Sequence, residues 1–277
     1  MNTRAEIVAE EAAREGESVT LPKKIGAGVG LDVDGAELDR AIEILETFIS
    51  KDRVERMQRV LDQRTISTTV MFENPSNPNN VWACLRTLDS FGIQHGHIVS
   101  DPDSYSKKAR LETMVTAMGS QKWMTLHGHA SPEAAVEKLK AEGFQVVATD
   151  LSPSTVSIDQ IDWSVKTAVV MGNENRGISD EMRGLADKTF QIPMRGFAES
   201  FNLSVACSII LAHLSATRAL RHGDLPEDER RRINATWLMQ CVRGADKILK
   251  REGITVCDRV WGPLQRGTSG IAGYTVR

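Results

Sequence analysis

Three polar segments of the chain carry side chains that could take part in chemistry, and each lies between a strand-like and a helix-like run. The first, NPSNPNNVWACLRT, contains Asn80 and Arg86; the second, VVMGNENRGI, contains Glu174; the third, IPMRGFAESFNLSVA, contains Ser200 and Asn202. In an open parallel sheet, ligands bind at the carboxyl ends of the strands, where such loops meet. The three segments are therefore candidate parts of one binding site.

Arg86 has two interpretations within its own helix. Asn80 is placed to cap that helix through its side-chain oxygen, and Leu85 and Leu88 belong to its apolar stripe. Arg86 falls on the other side and faces away from the core. On residue chemistry alone, an exposed ion pair with Asp89 at i+3 is the favoured interpretation, because structural ion pairs outnumber functional sites.

The second and third segments are also open to a structural explanation. Gly172 would let a ligand approach the backbone closely, but the four polar residues after it could form a tight turn, and the two interpretations are about equally supported. The N–H groups at the helix start near Asn202 favour anions or hydrogen-bond acceptors. Taken singly, however, this third segment is better explained as a Ser/Asn cap on a core helix.

The elements that must position these segments alternate between strand and helix from residue 65 onward. The predicted strands are 67–73, 95–100, 123–130, 144–152, 167–172 and 189–194. The predicted helices are 79–92, 111–120, 131–144 with Ser131 as its N-cap, 179–187 and 201–220. This alternation predicts an α/β fold built on a mostly parallel sheet.

The flanks of this region differ from it in charge. Residues 1–50 carry five Lys/Arg against eleven Asp/Glu, whereas residues 51–65 carry five against three and 216–251 carry nine against five. Helical periodicity runs through 36–62, and two amphipathic helices are predicted between 224 and 253. The expected organisation is an acidic extension (1–50), a basic helix (51–65), the sheet domain (66–222), C-terminal helices (223–252) and an irregular tail (253–277). Any anionic partner is expected to meet the basic helices, although solvated helix faces explain the charge counts equally well.

Composition and cysteine usage exclude several classes. The chain is 41% hydrophobic and 26% charged with a net charge of −3, which is typical of a soluble globular protein. No apolar run of about 18 residues predicts a membrane span, and the acidic N-terminus has no secretory core. The four cysteines lack metal-ligand spacing, so we expect buried thiols and no metal. A cytoplasmic location is expected, with an organellar one left open by the acidic leader.

Taken in order, the three segments resemble the three motifs of the SPOUT RNA methyltransferases. N-V-x-x-x-x-R-T, V-M-G-x-E-x-x-G-I and I-P-M-x-G-x-x-x-S-x-N-x-S-V-A follow one another with the order and spacing of that superfamily. Within it the chain is similar to the TrmH group, the tRNA guanosine-18 2′-O-methyltransferases, whose basic N-terminal helix and C-terminal helices also have counterparts here. The resemblance covers about residues 50–250.

The resemblance implies an α/β fold with a C-terminal deep trefoil knot, a homodimer, and S-adenosylmethionine as cofactor. In the family the cofactor is held largely by backbone groups of the knot. Carried over to this chain, the cofactor-binding positions are Thr149, Met171, Gly172, Ile192, Phe201 and Leu203.

The implied reaction is methyl transfer to a ribose 2′-hydroxyl of tRNA, at guanosine 18. The implied catalytic residues are Asn80, Arg86, Glu174, Ser200 and Asn202, with the two asparagines mainly positioning. Because a guanidinium stays protonated far above neutral pH, we expect Arg86 to hold a phosphate and stabilise charge on the 2′-oxygen. The role of general base, which family accounts give to this arginine, stays open. Trp82 stands where the group usually has a small residue; it could fill the dimer interface or stack on a base, and packing is the favoured interpretation.

The implied substrate is bound through phosphate contacts from the flanking helices. The expected RNA-binding residues are Arg53, Arg56, Arg59, Arg64, Arg230, Arg231, Arg232, Arg243 and Lys247. Three alternatives remain: the same chemistry on ribosomal RNA or another tRNA position, an RNA-binding protein without activity on the same scaffold, and a nucleotide-binding α/β enzyme unrelated to RNA.

Overall fold

The computed structural model describes residues 27–31, 33–99 and 120–260. Its strands are β1 (Ala27–Leu31), β2 (Thr68–Glu73), β3 (His95–Val99), β4 (Thr125–His129), β5 (Gln145–Thr149), β6 (Val156–Ser157), β7 (Thr167–Met171), β8 (Lys188–Gln191) and β9 (Val256–Val260). Its helices are α1 (Gly35–Glu46), α2 (Lys51–Leu61), α3 (Pro78–Ser90), α4 (Pro132–Ala141), α5 (Asp180–Leu185), α6 (Leu203–Ala216), α7 (Glu227–Cys241) and α8 (Ala245–Arg251). Two short 3₁₀ helices span Ser120–Trp123 and Ile158–Gln160.

Seven strands form one sheet in the order β4-β3-β2-β7-β5-β8-β6, and every neighbouring pair is parallel. The predicted mostly parallel α/β sheet is confirmed. Central strand β2 is buried along its whole length, as expected of a parallel strand covered on both faces. Because the strands run in one direction, the loops that follow β2, β7 and β8 leave from the same edge, and these loops carry the three polar segments.

Helices cover both faces of the sheet. On one face α3 and α6 pack over it with Leu85, Leu88 and Leu211 buried in a common core. Trp82 is only 4% exposed within that core, so the preference for packing over stacking on a base is confirmed, but the packing is inside the chain and not at a dimer interface. On the other face α4 and α5 contribute Val136 and Met182. The sheet is thus the middle layer of a three-layer domain.

A third core holds together α1, α2, α7 and α8, which we call the helical flank. The single helical run expected over 36–62 is two helices, because Ser50 adopts an extended conformation and begins α2 as its N-cap. The prediction of an irregular tail is wrong for its first part. Strand β9 pairs antiparallel with β1, so the two ends of the described chain meet in a small sheet. A pairing between strands so distant in sequence leaves no local pattern to read.

Other expectations have mixed outcomes. Ser131 caps α4 by accepting a hydrogen bond from the Ala134 N–H at 3.2 Å, as predicted. Cys84 and Cys207 are free and buried, while Cys241 is free and half-buried. Most of the expected helix at 111–120 and most of the acidic leader lie outside the described residues. None of the helices described has the length and hydropathy needed to cross a bilayer.

Candidate active site

Three of the expected catalytic side chains form one hydrogen-bond network at the carboxyl edge of the sheet. The Asn80 Nδ2 donates to Glu174 Oε1 at 2.9 Å, and the Asn202 Nδ2 donates to Asn80 Oδ1 at 3.1 Å. These residues come from the start of α3, the loop after β7 and the N-cap of α6. The three polar segments of the sequence therefore converge in space.

The Glu174 carboxylate is the centre of this network. It accepts hydrogen bonds from the Ser76 N–H at 2.7 Å, from the Ser76 hydroxyl at 2.6 Å and from the Asn77 N–H at 3.3 Å. Burial alone would raise the pKa of Glu174, but the hydrogen bonds from Ser76 and Asn80 outweigh it and lower that pKa. The site holds a fixed negative charge at neutral pH, and Ser76 is a contributor that the sequence did not indicate.

The N-cap of α3 is Asn77 and not Asn80. Its side chain accepts a hydrogen bond from the Asn79 N–H at 3.0 Å, and Pro78 is the first helical residue. Proline is favoured at that position because its fixed φ suits the helix and its missing N–H needs no partner. The Asn80 amide is consequently free to bridge Glu174 and Asn202.

The loop after β7 is a tight turn closed by two backbone hydrogen bonds between Asn173 and Gly177, at 2.9 and 2.8 Å. A Cβ at Gly172 would lie 2.3 Å from the carbonyl carbon of Gly177. Of the two interpretations left open by the sequence, the tight turn is therefore confirmed: Gly172 is required by the approach of the chain to itself, and it also lines the cavity described below. Asn173 then donates to the Asn74 carbonyl oxygen at 2.6 Å and ties this turn to the loop after β2.

A buried carboxylate supports the site from behind. Glu73, at the end of β2, is 2% exposed and accepts from the Ser179 hydroxyl at 2.6 Å and the Ser179 N–H at 3.0 Å. Ser179 in turn caps α5 by accepting from the Met182 N–H at 3.0 Å. Sequence reasoning missed Glu73, because a carboxylate ending a strand gives no sign of its partner.

A cavity of about 380 Å³ opens beside Glu174. All six positions expected to bind the cofactor line it, namely Thr149, Met171, Gly172, Ile192, Phe201 and Leu203. Ser200 also lines it and is exposed. Its carboxylates are Glu174, Glu199 and Asp150, against one guanidinium, that of Arg176. The cavity combines an apolar wall with an excess of negative charge, which suits a ligand with a flat ring and a positive centre.

Asp150 is the most strongly held of these carboxylates. Burial raises the pKa of its carboxyl group, but hydrogen bonds from Arg183, one of them 2.9 Å long, lower it to about 2. Asp150 is thus ionised and already paired. Glu174 and Glu199 are the carboxylates that remain for a positively charged ligand.

Arg86 lies apart from this cavity. It is exposed on α3, and no described residue accepts a hydrogen bond from its guanidinium. The ion pair expected with Asp89 is wrong, because Asp89 binds the guanidinium of Arg64 instead. Six residues separate Asn80 from Arg86, which corresponds to about 9 Å along the helix axis. The guanidinium of Arg86 is therefore available to bind a ligand.

The flank arginines do not form the open basic surface that charge counts suggested. Arg64 is only 1% exposed, so its assignment to RNA binding is corrected. Arg230 binds Asp62 at 2.7 Å, and Arg231 binds Asp39 at 3.0 Å. Arg232 pairs with Asp34. The remaining expected RNA contacts are exposed, namely Arg53, Arg56, Arg59, Arg243 and Lys247.

Four histidines form a column that joins the sheet to the helical flank, and the sequence analysis did not predict it. The tripeptide His-Gly-His occurs in both β3 and β4, and this repeat was the available signal. His95 Nδ1 lies 2.9 Å from His127 Nε2, and His97 Nδ1 lies 2.9 Å from His129 Nε2. Glu229 on α7 contacts His95 Nε2 at 2.7 Å. No metal-binding cluster of His, Cys, Asp or Glu occurs in the described part of the chain, so the column is held by hydrogen bonds and stacking.

Comparison with known proteins adds to this geometry. A profile of the SpoU rRNA Methylase family matches residues 67–212. The tRNA (guanosine(18)-2′-O)-methyltransferase of Aquifex aeolicus (strain VF5) is 32% identical over 203 residues, which are 72% of this chain and 94% of the relative. The Escherichia coli (strain K12) enzyme of that name is 37% identical over 188 residues, 65% of this chain and 80% of the relative. The crystal structure of the A. aeolicus TrmH/SpoU tRNA modifying enzyme superposes with a TM-score of 0.60 at 32% identity, over 72% of this chain and 99% of that one.

Proposed function

Because the chain belongs to the SpoU rRNA Methylase family, we propose that it transfers a methyl group from S-adenosylmethionine to the ribose 2′-hydroxyl of guanosine 18 in tRNA. The observation that carries this proposal is the network of Asn80, Glu174 and Asn202 beside a cavity lined by every expected cofactor position. The names of its relatives in A. aeolicus and E. coli support tRNA and guanosine 18 as the target.

The cavity suits S-adenosylmethionine. When bound, this cofactor supplies an electrophilic methyl group on a sulfonium centre. Met171, Ile192 and Leu203 offer an apolar wall to the adenine ring, and the carboxylates of Glu174 and Glu199 offer negative charge to the cationic end. Glu174 keeps its charge because Ser76 and Asn80 hold it in the ionised form.

The residues around the cavity then position the ribose. Asn80 and Asn202 fix each other and present amide groups between the cofactor cavity and the start of α3. Arg86, whose guanidinium has no partner among the described residues, binds the adjacent phosphate and stabilises the negative charge that develops on the 2′-oxygen as this oxygen takes the methyl group. The proton of the 2′-hydroxyl passes to water. Ser200 is an exposed hydroxyl that lines the cavity and contacts the substrate or cofactor there.

We further propose a homodimer. Phe201 lies just before the N-cap of α6 and Val205 lies in its first turn; they are 39% and 45% exposed, and Phe197 in the preceding loop is fully exposed. Exposed apolar side chains grouped at a helix start favour burial against a second copy. The substitution Val205→Glu is expected to shift the sedimentation coefficient from that of a dimer to that of a monomer.

The deep trefoil knot is also part of the proposal. Strand β8 lies beyond β5, yet α6, which follows it, packs on α3 near the middle of the sheet, where Thr87 and Ser208 are 3.4 Å apart. The chain between β8 and α6 therefore returns past β5 and β7, as a threaded connection would. A crystal structure that traces residues 192–202 tests this directly.

The activity is tested with purified protein, S-adenosylmethionine labelled in its methyl group, and either total tRNA or ribosomal RNA. Label is expected in tRNA at the 2′-oxygen of guanosine 18, located by nuclease mapping. Label in ribosomal RNA or at another tRNA position would contradict the proposed substrate but support the proposed reaction. Binding of tRNA without any label would favour an RNA-binding protein that has lost activity.

A further inference from the structure

A second cavity lies on the helical flank, away from the site described above. It has a volume of about 500 Å³, within the range of small-molecule sites. It is lined by Arg53, Arg56 and Val60, which succeed one another on one face of α2, and by Trp123 and Trp237. We call this cavity the tryptophan groove.

The aromatic wall is rigid. Trp237 is 2% exposed and meets Trp123 edge to face, with ring centroids 5.6 Å apart and an interplanar angle of 83°. The Trp237 Nε1–H donates to the Trp123 carbonyl oxygen at 3.1 Å, and Trp123 itself is only half-buried. A half-exposed indole held in this way can receive a flat ring at little cost in side-chain entropy.

The floor of the groove contains Arg64. Its Nη1 donates to the Ile93 carbonyl oxygen at 3.3 Å and its Nη2 pairs with Asp89, but its buried Nε has no acceptor among the described residues. A buried donor without a partner carries a free-energy cost. Because Arg64 is only 1% exposed and its guanidinium lies 5.2 Å from the centre of the Trp237 ring, it supports the aromatic wall and does not itself meet a ligand.

The charge of the groove favours an anion. Its lining carries Arg53, Arg56 and Arg64 against Asp52 and Asp89. Since Asp89 is already neutralised by Arg64, two guanidinium groups face one free carboxylate. A further cation, Lys122, lies 4.6 Å from the centre of the Trp123 ring. Positive charge therefore surrounds an aromatic surface.

The groove also lies close to the candidate catalytic arginine. Asp89 lines the groove and follows Arg86 by three positions on α3. Residues three apart on a helix are neighbours, with Cβ atoms about 5–6 Å apart. A ligand that extends from Arg86 along α3 therefore enters the groove within one helical turn.

We propose that the tryptophan groove binds an unpaired nucleotide of the RNA substrate, with its base on Trp123 and its phosphate on Arg53 and Arg56. This inference rests on the proposed function and names a second contact with the same RNA. Sequence-dependent RNA recognition acts mainly on single-stranded loops, whose splayed bases stack on aromatic side chains and guanidinium planes. The groove offers both kinds of surface one turn from Arg86.

The test uses a negative charge placed at the mouth of the groove. Val60 is 38% exposed and lines it, so Val60→Glu introduces a carboxylate without opening the core. Val165 is 46% exposed and lies outside the groove, which makes Val165→Glu the matched control. We expect Val60→Glu to raise the KM for tRNA about 10-fold with kcat within about twofold, and Val165→Glu to change neither, because one stacked base contributes a factor of this size.

A second pair of variants examines the aromatic wall. Trp123→Ala is expected to weaken tRNA binding about 10-fold and Trp123→Phe to retain most of the affinity, since a phenyl ring still stacks. If Val60→Glu and Val165→Glu give equal KM values and Trp123→Ala binds tRNA normally, the inference is wrong and the proposed methyl transfer is untouched. If no RNA is methylated but Val60→Glu alone weakens tRNA binding, the groove stands and the proposed activity falls.

Discussion

At the carboxyl edge of the sheet, Arg86 is exposed and its guanidinium has no partner among the described residues, while Glu174 is held ionised by hydrogen bonds from Ser76 and Asn80. On the helical flank, by contrast, each of the three consecutive arginines 230–232 meets an aspartate from the N-terminal half of the chain. The first region orders polar groups and leaves the Arg86 guanidinium without a partner among the described residues, whereas the second uses its cations to hold helices together. A count of positive charges does not distinguish these two uses, because only tertiary structure supplies the partners.

The largest effect on the rate of methyl transfer is expected from substitution of Arg86. Arg86→Ala should lower kcat for methyl transfer about 10²- to 10³-fold, the loss typical of one removed group that stabilises developing charge. It should leave the melting temperature unchanged, because the guanidinium contacts no described residue. Labelled S-adenosylmethionine and tRNA measure the rate, with Arg40→Ala, at an exposed position on α1, as the control. Near-normal transfer by Arg86→Ala would remove this residue from the mechanism.

The next effect concerns the turn that holds Glu174. Gly172→Ala places a Cβ 2.3 Å from Gly177 and must displace the turn, so cofactor affinity is expected to fall at least 10-fold and the melting temperature to drop. Gly184→Ala is the matched control, since a Cβ there meets nothing within 4 Å and alanine favours the helix. Calorimetric titration with S-adenosylmethionine measures the affinity. Equal affinities in both variants would show that the turn does not shape the cavity.

The histidine column, which joins the sheet to the flank through Glu229, predicts a pH dependence. Burial lowers the pKa of His97 and His127 well below the ordinary value, and burial next to Lys138 lowers that of His129 to about 4. The unfolded chain therefore binds more protons than the folded one below pH about 6.5, and stability falls as the pH drops through that window. Each of these three imidazoles should contribute about 1.5 kcal/mol of lost stability between pH 6.5 and 5.

Urea unfolding at these two pH values measures the loss. His129→Asn should flatten the dependence by the share of one imidazole, whereas His222→Asn, at an exposed position on a loop, should leave it unchanged. If the free energy of unfolding of the parent protein is the same at both pH values, the neutral state of His97, His127 and His129 in the folded protein is contradicted.

Comparison of the same two regions shows what the sequence could predict. The order of strands and helices and the convergence of the three polar segments followed from local patterns, since parallel strands bring their carboxyl ends to one edge. The cap at Asn77, the role of Gly172 and the pairing of Arg64 with Asp89 did not. Each depends on an atom contributed by a neighbour whose position only the folded chain fixes. The six cofactor positions could be predicted correctly as one cavity only from the family resemblance, since periodicity does not indicate which residues share a cavity.

The smallest expected effect is on the salt dependence of tRNA binding, and it distinguishes exposed arginines of the helical flank from ion-paired ones. Arg56→Ala removes an exposed guanidinium from α2 and should reduce the slope of log affinity for tRNA against log salt by about 0.7–0.9, the share of one phosphate contact. Arg231→Ala removes a side chain already bound to Asp39, so the slope should stay unchanged while the melting temperature falls by a few degrees at most. Equal slopes for both variants would mean that the ion pairs of the flank open when RNA binds. In that case the acidic partners in α1 would compete with RNA for the same arginines, and the division between structural and binding cations would depend on the ligand.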